Sequence, residues 1–83
     1  MKLSELAHAL DSAQRTLDAG DRTHAPGAWA EDSPENHARH ALRHLQMLSQ
    51  GDDREDHLAH ALCRCLLALE VRERRLERRN RAA

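Results

Sequence analysis

Leucine and alanine recur every three or four positions along three stretches of this chain, and polar clusters interrupt the rhythm between them. Leu3, Leu6, Ala7, Leu10, Ala13 and Leu17 share one face of an amphipathic helix, which predicts a helix over 3–19 with Gly20 as its left-handed stop. Residues 20–33 lose the periodicity and carry the turn signal Pro26-Gly27, so they are predicted to form a loop. Ser33-Pro34-Glu35 is a helix start, with a capping hydroxyl, a proline suited to the first turn and an acid at the positive end of the dipole. The helix it opens is predicted over 34–50, with Ala38, Ala41, Leu42, Leu45 and Leu48 as its apolar stripe and Gly51 as its stop. Asp52 and Glu55 have capping-box spacing, and a third helix is predicted over 53–79. Leu58, Ala59, Leu62, Cys65, Leu66 and Leu69 form its main stripe, and Cys63, Leu67 and Val71 widen it past half the circumference.

Isoleucine is absent and Val71 is the only valine, which argues against a sheet. The predicted fold is all-α: one three-helix domain over 1–83. The short turn at 51–53 should make its second and third helices an antiparallel hairpin, with the first helix packed across them. Trp29 is the only aromatic residue, so the core must be leucine and alanine and is thin for 83 residues. A third helix this apolar needs cover on more than one side, and a helical-bundle homodimer through that helix is the expected remedy.

Charge adds a further restriction. Residues 1–53 carry a net −4 and residues 54–83 a net +3, for −1 overall, which is not the balance of a dedicated nucleic-acid binder. No apolar run reaches the ~18 residues of a membrane span, and no signal-peptide core follows Met1-Lys2. Cys63 and Cys65 are too closely spaced for a disulfide framework, which points to a reducing compartment and a soluble cytoplasmic chain.

Five of the seven histidines fall in His37-Ala-Arg-His40-Ala-Leu-Arg-His44 and Asp56-His57-Leu-Ala-His60. At ~100° per residue His37, His40 and His44 fall within a ~60° arc. Across the hairpin His40 and His44 could face Asp56 and His60, and such a group can hold a divalent ion or pass a proton. Imidazole favours zinc, nickel, copper or iron. Equally, the same histidines can border the core and simply hydrogen-bond to Asp53, Glu55 or Asp56.

Trp29, the run His37 to Leu45, Gly51-Asp52 and the run Asp56 to Leu62 together resemble the dATP/dGTP diphosphohydrolase N-terminal family. The likeness covers about residues 25–70, and it implies a relative of the all-α MazG-like nucleotide pyrophosphohydrolases of phages and bacteria. Such enzymes convert a nucleoside triphosphate to the monophosphate and pyrophosphate with Mg²⁺ or Mn²⁺ held by E-x-x-E and E-x-x-D pairs. Here His37-x-x-His40 stands where the first pair is expected, and Asp53-x-x-Asp56 or His57-x-x-His60 where the second is. By ligand type, zinc or another imidazole-favouring ion is the expectation. The resemblance implies Asp56 or Glu55 as ligand or base. Arg39, Arg43 and Arg64 would balance phosphate charge, and Trp29 would either stack on a base or plug the open end of the core.

Arg72, Arg74, Arg75, Arg78, Arg79 and Arg81 crowd the C-terminal end among Glu70, Glu73 and Glu77. Glu70–Arg74 and Glu77–Arg81 have the favourable helical order, so this segment reads as a solvated helix end rather than a nucleic-acid contact. The competing functional expectations are a non-enzymatic helical interaction module, such as a phage accessory protein, and a metal-binding oligomer without catalysis.

Overall fold

A computed structural model describes residues 1–82. It is all-helical, with three α-helices and no strand among the described residues: α1 is Ala7–Asp21, α2 is Pro34–Ser49 and α3 is His57–Ala82. Short 3-10 turns precede α1 at Leu3–Leu6 and α2 at Ala28–Glu31. No helix among the described residues is long and apolar enough to cross a membrane.

The chain enters α2 as its local chemistry dictates. The Ser33 hydroxyl accepts the Asn36 backbone N–H at 3.0 Å, and Pro34 occupies the first turn. Gly51 follows α2 with φ +83°, a left-handed conformation that suits glycine. Gly20 behaves differently from its predicted role as a stop, because α1 continues through it to Asp21. The start of α3 also moves. Asp52 turns its carboxylate to Arg54 and His57 instead of capping, and residues 52–56 stay irregular. Asp56 takes over the cap, accepting the Ala59 N–H at 3.0 Å.

α3, ~39 Å long at 1.5 Å per residue, is the element against which the others pack. Its contacts with α2 run in opposite order along the two helices: His57 meets His44 near one end, and Arg64 meets His37 two turns further on. α1 lies against another side of α3, where the Cys63 thiol donates to the Ala13 carbonyl at 3.4 Å. The 3-10 turn carrying Trp29 reaches the C-terminal half of α3, and Arg74 places its guanidinium 4.9 Å from the indole centroid.

The buried set is small and unusual. Ala13, Ala41, Ala59, Ala61, Cys63 and Val71 are the buried apolar residues, while the largest fully buried side chains are His37 and His57. No leucine among the described residues is buried. The predicted stripes therefore do not all point inward. α2 turns His37, Ala41 and His44 to α3 and leaves Ala38, Leu42, Leu45 and Leu48 exposed. On α3, Leu58, Leu62, Leu66 and Leu69 are likewise exposed.

Candidate functional site

The turn after α2 and the first turn of α3 gather a compact polar group. The His44 Nδ1 and His57 Nδ1 atoms are 2.9 Å apart. Glu55 brings Oε1 to 3.3 Å from His57 Nδ1 and 3.5 Å from His44 Nδ1. Asp52 Oδ2 lies 2.7 Å from His57 Nε2. His60 stacks on His44 with ring centroids 4.9 Å apart and planes 15° from parallel.

The hydrogen-bond roles follow from what each partner can do. An ionised Asp52 only accepts, so the Nε2–H of His57 donates to it and Nδ1 is the ring nitrogen left to face His44. The His44 Nδ1–H then donates across the 2.9 Å gap. A metal ion in that gap would take the place of this proton, with the His44 proton on Nε2, so that both Nδ1 lone pairs and the Glu55 carboxylate face the ion. The three donor atoms, 2.9, 3.3 and 3.5 Å apart, are spaced like corners of a coordination tetrahedron, whose edge is ~3.3 Å for zinc–nitrogen bonds. The His44–Glu55–His57 group can hold a metal ion. Asp52 then plays the part that carboxylates commonly play behind a metal-bound imidazole, fixing ring orientation and tautomer.

Electrostatics match this picture. Hydrogen bonds from Arg54 first and His57 second hold the Asp52 carboxyl well below the usual range, so it remains an anion behind His57. Burial pushes the His44 imidazole down, helped by the neighbouring His60 and opposed by Glu55. A neutral imidazole is the form that binds metal.

The other sequence candidates fall elsewhere. His37 has both ring nitrogens engaged. Its Nε2–H donates to the Trp29 carbonyl at 2.9 Å, and its Nδ1 accepts from Arg64 Nη1 at 3.1 Å. It pins the Trp29 turn to the helices two turns away from His44. Arg64 is occupied by the same contact. His40 is half-buried, and burial, with Arg64 and Arg43 nearby, keeps its imidazole low. Asp53, Arg39 and Arg43 are exposed, and Asp56 serves as the α3 cap. Trp29 lies beneath Arg74. Asp52 is the site residue that periodicity missed. Its signal was the Gly51 stop followed at once by a carboxylate, five positions ahead of a histidine.

Taken together, the fold and site define an all-helical protein with an imidazole–carboxylate centre where two packed helices meet. The chain belongs to the family described as dATP/dGTP diphosphohydrolase, N-terminal, whose model matches residues 1–81. No curated protein and no solved structure matches it.

Proposed function

We propose that this chain is the helical domain of a metal-dependent diphosphohydrolase that splits a deoxynucleoside triphosphate into monophosphate and pyrophosphate. Family membership supports the substrate class, and the His44–Glu55–His57 triangle is the observation that carries the chemistry. Two imidazoles and one carboxylate fit zinc or iron; magnesium, which prefers all-oxygen ligands, fits them poorly. Bound there, such an ion would supply Lewis acidity to phosphate oxygens and lower the pKa of a coordinated water.

The chain's own groups do the rest. Asp52 holds the His57 ring in one tautomer, so that Nδ1 stays a donor atom. His60, stacked on His44 and without a ring hydrogen bond among the described residues, would take the proton of the water that attacks the α-phosphorus. The bond from that phosphorus to the bridging oxygen breaks, and pyrophosphate leaves with the electron pair. Glu55 serves as a ligand in this scheme, and Asp56, busy as a cap, is not its base.

The test is pyrophosphate release from dATP and dGTP after chelation and reloading with zinc, iron, manganese or magnesium. Release restored by zinc or iron, and lost in His57→Ala and His44→Ala, is the expected result. No release with any ion would leave the second reading, a non-enzymatic interaction module, which the exposed leucines of α2 and α3 favour.

A further inference from the structure

The surface of this chain is too large for its mass. A compact monomer of 9.4 kDa should expose about 5,000 Å², whereas this chain exposes 6,623 Å², an excess of about 1,600 Å². The exposed leucines of α2 and α3 are part of that surface. A standard interface covers about 800 Å² per partner, so the excess is ample for a stable dimer.

The exposed apolar residues share one side. At ~100° per residue, Leu58, Leu62, Cys65, Leu66, Leu69 and Leu76 fall in a ~100° arc of α3, beside the arc that faces α2. Ala38, Leu42 and Leu45 occupy the corresponding arc of α2. Because the two helices run in opposite order, both arcs open to the same side. There an apolar groove of about 430 Å³ separates Ala9 and Ala13 of α1 from Leu45, Leu58 and Leu62.

Charge gives the direction of the occupant. The approach to α3 carries Asp52, Asp53, Glu55 and Asp56 against Arg54, a net −3, while its far end carries Arg72, Arg74, Arg75, Arg78, Arg79 and Arg81 against Glu70, Glu73 and Glu77, a net +3. Two copies of α3 laid antiparallel put each basic end on the other's acidic approach, whereas parallel copies put like on like. The leucine arc centres near position 67. That register sets Leu58 against Leu76 of the partner subunit, and the Glu55-x-x-Leu58 spacing against Leu76-x-x-Arg79 read backwards.

We infer that a second copy of this chain covers the leucine face with α3 antiparallel to α3, bringing Arg79 of the partner subunit to the Glu55 edge of the His44–Glu55–His57 group. Within the chain Arg54 is committed to Asp52 and Arg64 to His37, which leaves Arg39 and Arg43 of α2 as the exposed arginines of the neighbouring helix. A phosphate at that group would gain the partner's cation as a further contact. This last point rests on the function proposed above, but the dimer does not.

The mass of metal-free protein in EDTA, by sedimentation or light scattering, tests the dimer independently of any catalysis. A dimer at micromolar concentration is expected, with Leu62→Glu/Leu66→Glu giving a monomer. In case that variant unfolds, the wild-type chain carries its own probe. Exposed Cys65, close to the proposed two-fold axis, should link to its counterpart with a short bismaleimide, while Cys63 is buried. For direction, an Asp53→Cys/Cys65→Ser chain mixed with an Asn80→Cys/Cys65→Ser chain should cross-link unlike to unlike. A monomeric wild type, or like-to-like linkage, overturns the arrangement. Arg79→Ala should leave the mass unchanged and weaken pyrophosphate binding to the zinc-loaded dimer about tenfold, ~1.4 kcal/mol. Unchanged affinity would remove the shared arginine.

Discussion

The seam between α2 and α3 and the leucine face beside it invert the usual arrangement. The seam is lined by His37, His44 and His57, two of them fully buried, while leucines that a sequence pattern assigns to a core remain exposed. The polar seam is locally complete. Every buried side-chain nitrogen and oxygen among the described residues has a partner. The apolar face has none within the chain. A chain can bury imidazole cheaply only if each ring nitrogen is matched, as His37 is between Trp29 and Arg64. The difference separates what one copy can satisfy alone from what it leaves for a neighbour.

The sharpest way to break this contrast is at the seam. His57→Ala removes a fully buried ring, leaves Asp52 and His44 without their partner, and should cost about 3 kcal/mol in chemical denaturation while eliminating zinc binding by calorimetry. On the leucine face, Leu66→Ala would cost well under that amount if the face met only water. Covered by a second copy, it should cost about 2 kcal/mol, and the melting temperature should depend on protein concentration. Ser33→Ala tests neither region but calibrates both. Losing the α2 cap should cost about 1 kcal/mol with zinc affinity unchanged.

Acidification is the mildest probe. His40 and His44 both have pKa values below the ordinary imidazole value of about 6.5 in the folded chain, chiefly because they are partly buried. The unfolded chain therefore takes up protons first as pH drops below about 6.5, and stability declines from there until the folded pKa values are passed. Melting of metal-free protein followed by circular dichroism should show a constant midpoint above pH 7 and a falling one between pH 6.5 and 5.

How far the sequence revealed this contrast depends on range. The entry to α2 was legible because Ser33, Pro34 and Asn36 are neighbours and their chemistry is local. The all-helical fold was legible from the three-and-four spacing. Periodicity cannot say which of two adjacent stripes turns inward, and α2 carries both His37–Ala41–His44 and Leu42–Leu45. Contacts with α3 decided that question. The start of α3 was misplaced for a similar reason: Asp52 is a good cap in isolation, but Arg54 and His57 compete for the same carboxylate. Among the candidate residues, helix order set His44 against Asp56 and His60; the structure keeps His60 on His44 but brings His57, not Asp56, to its ring nitrogen. Excluding His37 required knowing that Trp29 and Arg64 would claim its two nitrogens.

Trp29 has an optical consequence. It is the chain's sole fluorophore, with its carbonyl fixed by His37 and its ring under Arg74. Indole emission should thus report detachment of the segment ahead of α2 without any label. Because that ring sits at the opposite end of the helix pair from His44 and His57, its spectrum can follow loosening of one end while ion loading is titrated at the other.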